Sequence, residues 1–259
     1  MPLLRSVHPI HRFQGGSLLN RAAAHLAGFV PFIVHRLDQD TSGVCLLVKE
    51  HALTAPISAM FADKTVTKEY LALCLGVPPA RSFTVDAPIA RHPNHAPARQ
   101  LAADPDGKPS RTKCAVMAYR PAAGGRPAAC LVRATPLTGR THQIRLHLAA
   151  AGLPICADTF YGPPDGDVVR AAQLPHGADL ALMLLARQAL HAAALAFPHP
   201  RTRAPLRFEA PLPSDMAAAA AACGLGDGGD AEALAALPEH AELDWHAGTT
   251  HTIQHKRPL

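Results

Sequence analysis

The segment HRLDQDTSG, residues 35–43, places a carboxylate close to a guanidinium at the end of an apolar run. If this segment is extended, Arg36 and Asp38 project from the same face, because side chains alternate along a strand. A carboxylate beside a cation keeps a low pKa and stays ionised, and a poorly solvated carboxylate can act as a nucleophile. The same residues also fit a turn, in which Asp38 and Asp40 accept backbone N–H bonds and Gly43 supplies a positive φ.

A second basic segment, LTGRTHQIRLHL, begins with a glycine turn and continues with helical periodicity. Arg140 and His142 stand at the predicted start of this helix, where phosphate or sugar-phosphate groups bind well. Arg145 lies one turn further along, so its side chain can point into a site while the apolar face packs on the core. A solvated basic helix face is the alternative interpretation.

Tyr70 lies in VTKEYLA, which predicts a strand. A tyrosine on a strand is either a core residue with a hydrogen-bonded hydroxyl or a catalytic group. The neighbouring Lys64 and Lys68 fit an RNA backbone as well as an exposed strand edge.

Composition limits the classes of function. The chain has 259 residues, of which 48% are hydrophobic, so it can bury a sizeable core. A net charge of +5 suits a polyanionic partner without proving one. No acidic residue precedes Asp38, whereas four arginines lie before it, which fits either an organellar transit peptide or the edge of a nucleic-acid surface. We therefore expect the cytoplasm, a mitochondrion or a plastid.

Several classes of site and protein are disfavoured. The six cysteines form no CxxC pair and predict core thiols in a reducing compartment. The closest metal-like pair, HPNH at 92–95, has no matching partner pair, so no metal site is predicted. No apolar run approaches the roughly 20 residues of a membrane span, and no signal peptide is visible. The glycine-rich loop of kinases and the G-x-S-x-G motif of α/β-hydrolases are both missing from the sequence.

The order of the predicted elements favours a mixed α+β class with a mainly antiparallel sheet. Residues 86–110 predict a loop, and Pro56 predicts an early break or kink in the helix that contains it. From about residue 214 we expect an Ala-rich helix followed by a tail of low order. The predicted helices lie at 17–28, 51–61 and 141–152, and the predicted strands at 43–50, 67–76, 110–120, 128–137 and on both sides of the turn PHPRT.

Together these segments resemble the RluA family of RNA pseudouridine synthases. HRLDQDTSG is similar to the family's catalytic motif, KEYLALCLG follows at the expected distance, and LTGRTHQIRLHLAAAGLPICADTFYG is similar to its third motif. LHAAALAFPHPRT and LRFEAPLP resemble the closing strands, and the resemblance spans roughly residues 10–213. It implies a single pseudouridine synthase-like catalytic domain over 1–213, with a mainly antiparallel mixed sheet core flanked by helices, followed by the tail at 214–259. The family's usual opening strand and an S4 RNA-binding domain are not found in the sequence, and a shortened gene model is one explanation.

The resemblance implies isomerisation of uridine to pseudouridine in transfer or ribosomal RNA, without a metal or cofactor, by a monomer. Asp38 would act at C1′ of the sugar, Tyr70 would stack on the uracil and help to remove the C5 proton, and Arg145 would pair with Asp38. Arg36 would fill the gap left by the displaced base, and Arg140 with His142 would hold phosphates or the flipped nucleotide. The alternative is an inactive RNA-binding module or RNA chaperone of the same fold.

Overall fold

The structure is a computed structural model that describes residues 17–92, 99–101, 107–162 and 185–244. The chain divides into two compact units, one formed by residues 1–70 and 191–213 and the other by residues 71–190 and 214–259. One boundary falls immediately after Tyr70 and another between Leu190 and His191, and each lies within a strand. The two units are described separately below.

The first unit begins with a helix and three very short strands. Ser17 caps the first helix, because its Oγ accepts the N–H of Asn20 at 3.2 Å, and Gly28 with its positive φ follows the helix end. The helix predicted here is confirmed. The described elements of this unit are α1 (Leu18–His25), β1 (Phe32–Ile33), β2 (Ser42–Gly43), β3 (Leu47–Val48), α2 (His51–Ala62), the start of β4 (Thr67–Leu75), β10 (Leu190–Pro198) and β11 (Pro205–Glu209).

Helix α2 continues through Pro56, so of the predicted break or kink at this proline the break is wrong. The helix is held by its packing, since Met60 is buried in a cluster with Val66, Leu195 and Phe197. Tertiary burial of this kind outweighs the single hydrogen bond that the proline lacks. Strands β10 and β11 form the predicted hairpin around PHPRT, with Ala194 opposite Glu209.

The second unit is built on a run of strands in the order β4, β9 (Ala129–Pro136), β8 (Arg111–Arg120), β5 (Ser82–Asp86) and β12 (His240–Asp244). The long β8–β9 hairpin is predicted correctly, and its strands alternate buried and exposed residues as a sheet with one covered face requires. Helix α3 carries the second basic segment and is also confirmed. The bounds of these elements are β5 (Ser82–Asp86), β6 (Ile89–Arg91), β7 (Arg99–Leu101), β8 (Arg111–Arg120), β9 (Ala129–Pro136), α3 (Gln143–Ala150), α4 (Ser214–Ala222), α5 (Ala231–Ala236) and β12 (His240–Asp244).

Two regions differ from the sequence expectation. Within the predicted loop at 86–110, β6 and β7 pair antiparallel with Ile89 opposite Leu101, so that prediction is wrong for these short strands. Part of the HPNH segment lies outside the described residues. The Ala-rich helix after residue 214 is confirmed as α4, but the expectation of low order is wrong for α5 and β12, since β12 pairs in parallel with β5.

The α+β class with a mainly antiparallel mixed sheet is confirmed, because five strand pairs (β1–β3, β10–β11, β5–β8, β6–β7 and β8–β9) are antiparallel, whereas β2–β10 and β5–β12 are parallel. All six cysteines are free thiols. Across the described ranges, no helix is both long and apolar enough to cross a membrane.

Candidate active site

Asp38 lies in a turn between β1 and β2. The N–H of Thr41 donates to the backbone carbonyl of Asp38 at 3.1 Å, and Asp40 adopts a left-handed conformation with φ of 66°. Gly43 has a φ of 109°, as the turn interpretation predicts. A Cβ at position 43 would overlap the carbonyl oxygen of Ala192, so glycine is required both for its φ and for its small size.

The end of this turn is tied to strand β10 of the same unit. Ser42 and Gly43 pair in parallel with His191 and Ala192, and the N–H of Val44 donates to the carbonyl of Ala192 at 2.8 Å. The hydroxyl of Ser42 lies 2.9 Å from Nδ1 of His191. The turn that carries Asp38 is therefore fixed to the sheet by both backbone and side-chain bonds.

Tyr70 lies near Asp38 in the first unit. It is the last residue of β4 that belongs to this unit. Burial raises the pKa of the Tyr70 phenol well above its usual value, and the Asp38 carboxylate and the Cys45 thiol raise it further. The phenol is therefore protonated at neutral pH. Asp38 and Tyr70 thus lie in one compact unit and interact electrostatically, and Arg36, two residues before Asp38, is exposed.

Arg145 lies in α3 of the second unit and binds a carboxylate that the sequence analysis did not single out. Its Nε and Nη2 donate to the two oxygens of Asp158 at 2.6 and 2.7 Å, and both side chains are almost fully buried, at 3% and 0% exposure. This is a bidentate, charge-assisted pair. The predicted pairing of Arg145 with Asp38 stays a prediction.

Asp158 is further held by its own loop. Its Oδ1 accepts the backbone N–H groups of Phe160 and Tyr161 at 2.9 and 3.1 Å. Burial alone would raise the pKa of Asp158, but the hydrogen bonds and charge of Arg145, together with these two N–H groups, outweigh it and lower the pKa. The pair is therefore ionised at neutral pH.

Aromatic rings surround the buried ion pair. The Arg145 guanidinium carbon lies 5.4 Å from the ring centre of Phe160 and 5.2 Å from that of Tyr161, within the range of cation–π attraction. The hydroxyl of Tyr161 accepts the N–H of Arg99 at 2.7 Å and lies 2.9 Å from Nδ1 of His142. These contacts fix the orientation of the guanidinium.

The two remaining predicted residues have different surroundings. Arg140 is exposed, although its Nε donates to the carbonyl of Pro109 at 3.3 Å, so its guanidinium can reach a phosphate. His142 is buried at 8% exposure in a left-handed conformation at the N-cap of α3, where it contacts Tyr161. Its predicted role in holding RNA stays a prediction.

The site residues that sequence reasoning missed are Asp158, Phe160 and Tyr161. They stand together in DTFYG, at the end of the segment that carried the resemblance. The available signal was Arg145 itself, because a buried guanidinium requires a carboxylate partner.

Comparison with known proteins places these motifs in one family. The chain matches the family of RNA pseudouridylate synthases over residues 7–150. It is 39% identical over 216 residues to the ribosomal large subunit pseudouridine synthase D of Nitrosomonas europaea, which covers 82% of this chain and 58% of the relative. It is 38% identical over 180 residues to the ribosomal large subunit pseudouridine synthase C of Vibrio vulnificus, which covers 70% of this chain and 51% of the relative.

Solved structures agree with this assignment. Human RNA Pseudouridylate Synthase Domain Containing 1 superposes with a TM-score of 0.62 at 25% identity, covering 78% of each chain. Human RNA Pseudouridylate Synthase Domain Containing 4 shares the fold, with a TM-score of 0.65 at 21% identity over 86% of this chain and 87% of that one. This chain spans little more than half the length of the two curated relatives. The family match over residues 7–150 and the similarity to these relatives confirm the predicted resemblance: the chain belongs to the RNA pseudouridylate synthase family.

Proposed function

We propose that this chain isomerises uridine to pseudouridine within RNA, with ribosomal RNA as the first substrate to test and transfer RNA as the second. The observation that carries the proposal is the Asp38 carboxylate, held in the HRLD turn close to Tyr70. The names of the bacterial relatives, ribosomal large subunit pseudouridine synthases C and D, support ribosomal RNA as the first choice.

The reaction is balanced without a redox step. The N1–C1′ bond of uridine breaks, the uracil turns over, and a C5–C1′ bond forms. C5 then loses its proton, and N1 gains one. Asp38 acts at C1′, either by adding to the sugar or by assisting a glycal route. Isomerisation of this kind requires no hydride, electron or hydrolytic water, so the proposal includes no cofactor or metal.

Tyr70 has a specific place in this scheme. Its aromatic ring is suited to stack on the uracil, and its raised pKa keeps the phenol protonated. It can accept the C5 proton only as its own proton passes to an acceptor, and the nearby Asp38 carboxylate is such a group.

The remaining residues hold the RNA in place. Arg36 is exposed next to Asp38 and is suited to fill the gap left when the target base leaves its stack. Arg140 is exposed just before α3 and is suited to a phosphate. Arg145 is buried and paired with Asp158, so it supports the loop that carries Phe160 and Tyr161, and His142 orients the Tyr161 ring.

The deciding experiment measures tritium release from ribosomal RNA labelled at uridine C5. We compare the wild type with Asp38→Asn and with Asp40→Asn, a matched control in the same turn whose left-handed φ asparagine tolerates. Release by the wild type and by Asp40→Asn, but not by Asp38→Asn, supports the proposal. Equal release by all three proteins would refute the role of Asp38.

RNA binding without tritium release by the wild type, on both ribosomal and transfer RNA, would instead favour an inactive RNA-binding module.

We also propose that the chain acts as a monomer, in the cytoplasm or in an organelle. Light scattering coupled to size exclusion tests the first point, and fractionation of cells that express the tagged chain tests the second.

A further inference from the structure

The loop that carries Asp38 is closed at its base by a short ladder. Strands β1 and β3 pair antiparallel, and their last backbone pair joins Ile33 to Leu47. Within the loop, Ser42 and Gly43 are tied to β10, and a further contact holds the loop at its base. That contact comes from a side chain, because the N–H of Leu46 donates to Nε2 of His35 at 2.7 Å.

The His35 ring is fixed on its face as well as at its edge. It stacks on Phe61 with ring centres 4.6 Å apart and an angle of 15° between the planes. Phe61 in turn packs against the buried cluster that contains Met60 and Leu195. The ring therefore joins the HRLD segment to the hydrophobic core of its own unit.

The bond to Leu46 requires an unprotonated Nε2, since only a nitrogen with a lone pair can accept an N–H. Burial and, to a smaller extent, the charge of Lys68 lower the pKa of His35 to about 4. At neutral pH the imidazole is thus an acceptor at Nε2 and cannot serve as a general acid in its charged form.

A second histidine fixes the other side of the loop in the same way. Nε2 of His191 lies 3.1 Å from the carbonyl oxygen of Ala210, which can only accept, so this nitrogen carries the proton. Nδ1 of His191 is then the acceptor for the hydroxyl of Ser42. Asp38 lies between the two anchored positions, His35 and Ser42.

We propose that His35 is a positioning residue for Asp38. His35 holds the catalytic turn in place by accepting the Leu46 N–H at Nε2. This inference rests on the proposed function for its kinetic consequence. His35 itself transfers no proton in the reaction. A displacement of the reacting carboxylate by about 1 Å can lower a rate by about 100-fold, so loss of this single bond is expected to be visible in kcat.

Two substitutions separate the edge contact from the face contact. His35→Gln keeps an acceptor oxygen near the place of Nε2 but loses the aromatic stack, whereas His35→Phe keeps the stack and loses the acceptor. We expect His35→Phe to lower kcat by about 100-fold, with KM for RNA changed by less than about 3-fold, and His35→Gln to stay within about 5-fold of wild type. A wild-type kcat for His35→Phe, or a loss confined to KM, would overturn the proposal.

Amide hydrogen exchange of the loop is a readout that does not depend on turnover. The Leu46 amide should exchange faster in His35→Phe than in wild type, and should stay protected in His35→Gln. If the wild type releases no tritium, the proposed function fails, yet this exchange comparison still decides whether His35 anchors the loop. Unchanged protection in His35→Phe would show that it does not.

A measurement on the wild type covers the case in which His35→Phe does not fold. The nitrogen-15 signal of His35 Nε2 at pH 7 distinguishes an unprotonated acceptor from a protonated nitrogen. An unprotonated Nε2 coupled to the Leu46 amide supports the anchor, and a protonated Nε2 excludes it.

Discussion

The buried pair of Arg145 and Asp158 leads to a quantitative prediction for Asp158→Asn. The substitution keeps the size of the side chain but removes the charge that compensates the Arg145 guanidinium, which is only 3% exposed. Removing one partner of a buried pair typically costs about 3–5 kcal/mol, because the remaining charge is left without compensation. We expect the free energy of unfolding to fall by about that amount at pH 7.

The chain offers a matched control in Arg187 and Asp215. Nε and Nη2 of Arg187 also donate to both carboxylate oxygens, at 2.9 Å each, and the arginine side chain is equally buried at 4% exposure. The difference lies in the acid, since the Asp215 side chain is 39% exposed whereas that of Asp158 is fully buried. Water can therefore replace part of the lost interaction in Asp215→Asn, and we expect a smaller loss of about 1–2 kcal/mol.

Urea denaturation followed by circular dichroism measures both variants against the wild type. The m-value must be the same in all three proteins for the free energies to be compared. A loss below about 1 kcal/mol in Asp158→Asn, or equal losses in the two variants, would show that burial of the carboxylate does not control the strength of these pairs.

Two further predictions concern stability. His147 is fully buried, and burial lowers its pKa to about 4 despite the hydrogen bond to Ala87 and the charge of Asp86. Between about pH 6.5 and 4 the unfolded chain therefore binds a proton at His147 that the folded chain does not. The free energy of unfolding should therefore fall by up to about 3 kcal/mol as the pH falls through this window. Urea titrations at pH 7 and 4.5 should show a smaller fall in His147→Gln than in the wild type. An equal fall in both proteins would contradict the assignment to His147. Gly43→Ala should lower the free energy of unfolding by at least about 2 kcal/mol, because the new Cβ overlaps Ala192. Gly28→Ala, which has a positive φ but open space around it, should lower it by about 1 kcal/mol. Equal losses of stability in thermal unfolding would contradict the steric argument.

Elements with local signals were predictable from the sequence. The Ser17 cap, the β8–β9 hairpin and the periodicity of α3 all depend on residues close together in the chain. The strand β6 pairs with the nearby β7 but has only three residues, too few to show a pattern, whereas β12 depends on a distant partner. Strand β12 pairs with β5, more than 150 residues earlier, as in His240 opposite Ser82, and no local pattern encodes such a pairing.

The same distinction applies to the candidate site. Asp38, Tyr70 and Arg145 were selected because their motifs have fixed spacing, and the structure brings Asp38 close to Tyr70. Asp158 was missed because it follows α3 in an irregular segment, where nothing local marks an acidic residue as buried. Its importance is visible from the hydrogen bonds that it accepts from Arg145 and from the backbone of its own loop.

The turn and the catalytic interpretation of HRLDQDTSG are compatible because they use different atoms of Asp38. The turn bond from Thr41 is made to the backbone carbonyl of Asp38, and the left-handed conformations at Asp40 and Gly43 set the path of the chain. The side-chain carboxylate is the group that acts on the pKa of Tyr70. Substitution of the carboxylate by an amide leaves this backbone bond in place, so a loss of turnover in an Asp38→Asn protein with an unchanged circular dichroism spectrum reports on the chemistry of the carboxylate.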